Sequence, residues 1–170
     1  MLHLYIGDGK GKTTAAMGLA LRAAGRGHHV VIGQFLKGGS SGEVEAFSYV
    51  PGIDVISYSG LVKFTISMTK EELKSAQTNY PKYFESLVDT AINRRAGVVV
   101  WDEILDAVNA NLLQVDEVLA AIKKLQDCEI IMTGRNPKVE FIEKADYISE
   151  IKKIKHPFDR GIKAREGIEY

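Results

Sequence analysis

Short, nearly continuous apolar runs alternate along this chain with stretches whose apolar positions recur every three or four residues, from the first residues to about position 151. The runs predict strands over residues 3–6, 29–34, 53–58, 98–102, 129–133 and 147–151. The recurrent stretches predict helices over 13–24, 69–95, 115–125 and 138–145. Gly25 and Gly27 suit the end of the first helix, and Pro51-Gly52 suits a turn. Thr69-Lys70-Glu71-Glu72 has the spacing of a capping box, with a break or kink expected near Pro81. Strands that lack polar alternation are buried on both faces, which is the habit of a parallel sheet covered by helices. The expectation is an α/β, three-layer fold with a mostly parallel sheet of about six strands and helices on both faces.

Three segments fall outside this rhythm. Residues 35–42 are glycine-rich and leave the second strand at its C-terminal end, the edge where parallel sheets bind ligands. Residues 59–67 carry Leu61, Val62, Phe64 and Ile66, more apolar surface than a solvated loop needs, and are expected to cover something. Residues 155–170 are irregular yet hold His156, Phe158, Arg160, Arg165 and Tyr170, a mixture suited to rimming a large polar ligand.

With 170 residues, one domain is expected over 1–170. The 22 basic and 22 acidic side chains cancel, so no overall field draws the chain to nucleic acid or to an anionic membrane. One cysteine, Cys128, allows no internal disulfide, the four histidines lack metal-ligand spacing, and no zinc site is expected. No apolar run approaches a membrane span and no charged leader precedes the first strand, so the expected location is cytoplasmic.

The chemistry concentrates at residues 7–14, Gly-Asp-Gly-Lys-Gly-Lys-Thr-Thr, set between the first strand and the first helix. Gly7, Gly9 and Gly11 let the backbone around Asp8 and Lys10 turn its N–H groups toward one point at a helix N-terminus. Lys12 reaches a phosphate chain, the Thr13 hydroxyl suits magnesium, and Thr14 continues the helix. This is a P-loop NTPase-like arrangement. It departs from the usual spacing, because the position of the first glycine is Ile6. A second signature is Asp102-Glu103 at the end of the fourth strand, a pair able to serve magnesium or to orient water. Arg22 in the first helix and Arg135 after the fifth strand are candidate phosphate ligands, since a guanidinium binds phosphate bidentately and keeps its charge.

These residues, with Gln34-Phe35-Leu36-Lys37-Gly38, Thr133-Gly134-Arg135, Ala145-Asp146-Tyr147 and the run Lys155-His156-Pro157-Phe158-Asp159-Arg160-Gly161-Ile162-Lys163-Ala164, resemble the P-loop corrinoid adenosyltransferases. The resemblance spans nearly the whole chain. It implies that Co(I) of a corrinoid attacks C5′ of ATP and expels tripolyphosphate, with ATP lying in the reverse sense along the loop. It implies that residues 7–14 with Lys12, Arg22 and Arg135 hold ATP, and that Thr13, Asp102 and Glu103 serve magnesium. The catalytic set implied is Lys12, Thr13, Glu103 and Arg135, with Phe64, Ile66, His156 and Phe158 on the corrinoid. Partners implied are a cobalamin or cobinamide-type corrinoid, an electron donor such as a flavoprotein, and a second copy in a homodimer.

Two departures stand out. Relatives commonly carry an N-terminal helix over the neighbour's corrinoid, whereas this chain opens at the first strand, and Phe64-Thr65-Ile66 stands where they often have Phe-Thr-Trp. A corrinoid site that is more open, or closed by residues 35–42, is therefore expected. The rival readings are a P-loop ATPase or kinase moving the terminal phosphoryl group, and a non-catalytic regulator that binds ATP or corrinoid.

Overall fold

The computed structural model describes residues 1–36, 42–58, 60 and 68–168. In chain order the elements are β1 (Leu2–Ile6), α1 (Lys12–Ala24), β2 (Val30–Gln34), α2 (Gly42–Phe47), β3 (Ile53–Ser57), α3 (Lys70–Asn93) and β4 (Val98–Asp102). There follow α4 (Ile104–Asn109), α5 (Val115–Lys124), β5 (Glu129–Gly134), α6 (Val139–Lys144), β6 (Tyr147–Glu150) and a 3-10 turn (Pro157–Arg160). The six strands form one sheet in the order β3-β2-β4-β5-β1-β6, and every pairing is parallel. All strand C-termini therefore open on one edge, and the phosphate loop leaves β1 there.

Strand parity sorts the core into two layers. Val30, Ile32, Val98, Val100 and Ile131 face α1, which brings Ala16, Met17, Ala20 and Ala23, and α2, which brings Phe47. Leu2, Leu4, Val31, Val99, Trp101, Ile130 and Met132 face the opposite way, against α3, α4, α5 and α6. The same period of two puts Asp102 and Thr133 on the α1 side, in line with Val100 and Ile131. They emerge beside the first turn of that helix.

α3 closes the second layer. Its capping box forms as the spacing predicts, with Glu72 N–H donating to Thr69 Oγ1 and Thr69 N–H donating to the Glu72 carboxylate. No break occurs at Pro81, which lies inside a continuous helix of 24 residues. Buried Tyr80 and Phe84 lie on either side of it, and their packing offsets the missing backbone hydrogen bond. α2 and α4 are additions to the predicted elements. Each has 6 residues, too few for a recurrent apolar pattern to register, and neither follows a proline as α6 follows Pro137.

Beneath the end of β2, Phe35, Tyr58, Tyr80, Tyr83 and Phe84 pack in mutual aromatic contact, and Trp101 meets Phe84 edge-on at 4.9 Å. The Tyr83 hydroxyl reaches the carbonyls of Gln34 at 2.9 Å and Ile56 at 2.7 Å, tying α3 to β2 and β3. Gly33 admits the helix: a Cβ there would lie 2.3 Å from Leu87 Cδ1. Leu87→Ala should cost ~2–5 kcal/mol by denaturant unfolding. Gly33→Ala should then cost less in the Leu87→Ala background than in the wild type, because the added methyl enters the vacated space. Equal costs in both backgrounds would separate the two positions.

Candidate active site

Of the buried core among the described residues, only Gln34, Asp102 and Thr133 are polar, and all three lie at strand C-termini. Asp102 Oδ1 accepts hydrogen bonds from Thr133 Oγ1 at 2.7 Å and from Thr13 Oγ1 at 2.9 Å. The Thr133 hydroxyl in turn accepts from Glu103 N–H at 2.9 Å. A fully buried carboxylate is tolerated only where such donors meet it. The network joins α1, β4 and β5 at the mouth of the phosphate loop. Glu103 has φ 65°, the left-handed region, and this lets the chain leave β4 and enter α4 within one residue.

The loop itself leans on the exit of β6. Gly7 and Gly11 take φ of 110° and 123°, and a Cβ on Gly7 would lie 2.4 Å from the Ile151 carbonyl oxygen. Gly9 N–H donates to that same oxygen at 2.8 Å. Lys153 N–H donates to Asp8 Oδ1 at 3.0 Å, and this bond holds the Asp8 carboxyl below its usual range. Lys10 Nζ donates to the Ile168 carbonyl at 2.6 Å, so the C-terminal segment crosses the loop. Strand β6 and the tail thus support the loop from outside.

Lys12 Nζ donates to the Gly9 carbonyl at 3.0 Å. Burial and the neighbouring Arg135 charge push the Lys12 ammonium below its ordinary pKa, against the pull of Asp106, Glu103 and Asp102. The Arg135 charge is thus felt at Lys12, as suits a site for a polyanion. The donor set also fits a hard divalent cation, since the Thr13 hydroxyl and Asp102 carboxylate lie within hydrogen-bond distance of each other and magnesium takes few protein oxygens beside phosphate and water.

Other predicted residues lie elsewhere. Arg22 does not join the cluster: it occupies the last turn of α1. Ten residues of helix rise put it ~15 Å along the axis from Lys12, and its charge is felt by the Tyr5 phenol instead. Exposed Thr14 lies in the first turn of α1. His156 Nδ1 accepts from Phe158 N–H at 3.1 Å, and the Phe158 side chain is exposed on the 3-10 turn. That turn is tied to the loop through Lys153, whose ammonium binds Asp159 at 3.0 Å while its N–H binds Asp8. Phe64 and Ile66, and residues 37–41 of the glycine-rich segment, lie outside the described residues.

The whole chain, residues 1–170, matches the family described as ATP:corrinoid adenosyltransferase BtuR/CobO/CobP. The chain belongs to this family. A corrinoid adenosyltransferase of Pseudomonas aeruginosa is 33% identical over 175 residues, covering 100% of this chain and 83% of the relative. One from a Sinorhizobium species is 34% identical over 173 residues, covering 100% and 80%. That of Escherichia coli K12 is 30% identical over 171 residues, covering 100% and 85%.

Asp106, which no sequence motif singles out, belongs to the same cluster. Its carboxylate Oδ2 accepts from Arg135 N–H at 3.2 Å. Burial raises its pKa, against the opposing effects of Arg135 and Lys12, and Asp102 adds to the rise. The available signal was its spacing, three residues after Glu103 in a short apolar run. The raised value means that the folded protein keeps this proton to a higher pH than the unfolded chain does. The penalty of burying the charge is absent below the ordinary value of 3.8 and complete above the folded value. Asp106→Asn should therefore be most stable relative to wild type near neutral pH, and the gap should narrow as the pH falls through that window. Denaturant unfolding across pH 7 to about 4 measures it. A gap that widens on acidification would reverse the assignment.

Proposed function

We propose that this protein transfers the 5′-deoxyadenosyl group of ATP to the cobalt of a corrinoid. Cobalt(I) supplies the electron pair for the new Co–C5′ bond, the C5′–O bond breaks, and its pair leaves on tripolyphosphate. The observation that carries this reading is family membership along the whole chain, joined to the convergence of the phosphate loop, Asp102 and Arg135 at one sheet edge.

In an ordinary phosphoryl-transfer site the cradle activates the terminal phosphorus; here it stabilises a leaving group. Loop N–H groups, Lys12 and Arg135 take up charge growing on the triphosphate as the bond to C5′ breaks. Thr13, Asp102 and Glu103 would hold magnesium, which when bound neutralises phosphate oxygens. Asp102 holds the Thr13 hydroxyl at the end of β4, and Thr133 keeps the Glu103 backbone in place. Arg22 is left out of this set. The tail with His156 and Phe158 lies over the loop side and is suited to rim the corrinoid.

The protein would work as a cytoplasmic homodimer supplied with electrons by a donor such as a flavoprotein. No helix among the described residues is long and apolar enough to cross a membrane.

Incubation with ATP, magnesium and chemically reduced cobalamin should release tripolyphosphate, and Glu103→Gln should still do so with weaker magnesium dependence. Release of ADP and phosphate by the wild type would replace adenosyl transfer by phosphoryl transfer.

Phe64 and Ile66 are the candidates for an apolar wall at the lower face of the corrin. Such a wall excludes the axial ligand of Co(II) and makes its reduction easier. Phe64→Ala should slow turnover strongly from Co(II) with a mild reductant, but weakly from preformed Co(I). Equal slowing in both assays would make Phe64 a support of the fold only.

A further inference from the structure

Arg135 sits in a turn that strand geometry does not hold. Gly134, the last residue of β5, has φ 146° and Asn136 has φ 46°, so the backbone turns out of the strand at Arg135. Its anchors come from α4. Arg135 N–H donates to Asp106 Oδ2 at 3.2 Å, and Asn109 Nδ2 donates to the carbonyls of Arg135 at 2.9 Å and Asn136 at 3.1 Å. Asp106 and Asn109 are three residues apart and so share one helix face. Gly134 is closed against that helix as well, since a Cβ there would lie 2.6 Å from both Asp106 Oδ2 and Leu105 Cβ. The start of α4 is fixed by Glu103, whose N–H is bound by Thr133 in the Asp102 network. One chain of contacts thus runs from the Thr13 hydroxyl to the Arg135 backbone.

We propose that Asp106 and Asn109 are positioning residues that clamp the Gly134-Arg135-Asn136 turn and aim the Arg135 guanidinium at the triphosphate. This rests on the reading that Arg135 binds phosphate. A guanidinium on a loose turn must lose more freedom when it binds than one whose backbone is already held. The clamp contributes to affinity for the anion through Arg135 alone, so removing it has no further effect once Arg135 is gone.

Inorganic tripolyphosphate and ATP are titrated calorimetrically into the full chain and its variants. Arg135→Ala should weaken tripolyphosphate by ~10-fold or more, in line with the worth of a charge-assisted bond. Asn109→Ala should weaken it by ~10-fold, yet by less than about twofold when Arg135 is already alanine. Asp106→Asn and Asp106→Leu both remove the charge, but only asparagine keeps an acceptor for Arg135 N–H. Leucine should therefore bind ~10-fold more weakly than asparagine. In turnover, Asn109→Ala should raise the KM for ATP and lower kcat in the same direction as Arg135→Ala, with neither effect once Arg135 is already alanine.

If Arg135→Ala weakens binding while Asn109→Ala does not, or if Asn109→Ala costs as much with Arg135 absent as with it present, the clamp is overturned and the phosphate reading stands. Equal affinity for the two Asp106 variants also overturns the clamp. Unchanged tripolyphosphate affinity in Arg135→Ala overturns the phosphate reading of Arg135, and the clamp with it.

Discussion

The buried Asp102 carboxylate is the constraint on which the functional edge depends. It lies in a strand covered on both faces by helices, where an unpaired charge is excluded by its desolvation cost. Two threonine hydroxyls meet it, one from the first turn of α1 and one from the end of β5. The phosphate loop and the exits of β4 and β5 are thereby set relative to one another by short bonds. Those bonds are formed through oxygens of the same hard type that magnesium accepts.

Around this centre the supports are close approaches at glycines and side-chain bonds to backbone groups. Gly7 and Gly9 lie against the Ile151 backbone so closely that no Cβ fits, and Gly134 lies equally close to α4. Such contacts hold the loop and the Arg135 turn from outside and leave their inner sides to a ligand. The aromatic layer of Phe35, Tyr80, Tyr83 and Phe84 holds the end of β2 in the same way, with the Tyr83 hydroxyl on strand carbonyls that the sheet leaves available.

Charge in the site is balanced locally although the chain as a whole is neutral. Lys12 and Arg135 repel each other, and Asp102, Glu103 and Asp106 oppose that repulsion. A polyanionic substrate would enter a region where the partly desolvated Lys12 ammonium already feels the Arg135 charge, and little reorganisation is then needed to bind it.

Much of this was legible in the chain. Six apolar runs, the glycine loop and Asp102-Glu103 determined an α/β sheet with its phosphate site at the strand C-termini, because the pattern of burial and the special backbone needs of glycine are local properties. The capping box before α3 was readable for the same reason. What tertiary structure alone decided is which distant residues meet. Thr133 is 31 residues from Asp102, Ile151 is 142 residues beyond Gly9, and Ile168 is 158 beyond Lys10. Helix rise removed Arg22 from the loop, since a position three turns into α1 looks near in sequence and lies at the other end of the helix. Asp106 and Asn109 became site residues only when the left-handed Glu103 turned α4 toward the exit of β5. That turn is a non-local outcome, because it depends on a hydroxyl from another strand to hold its N–H.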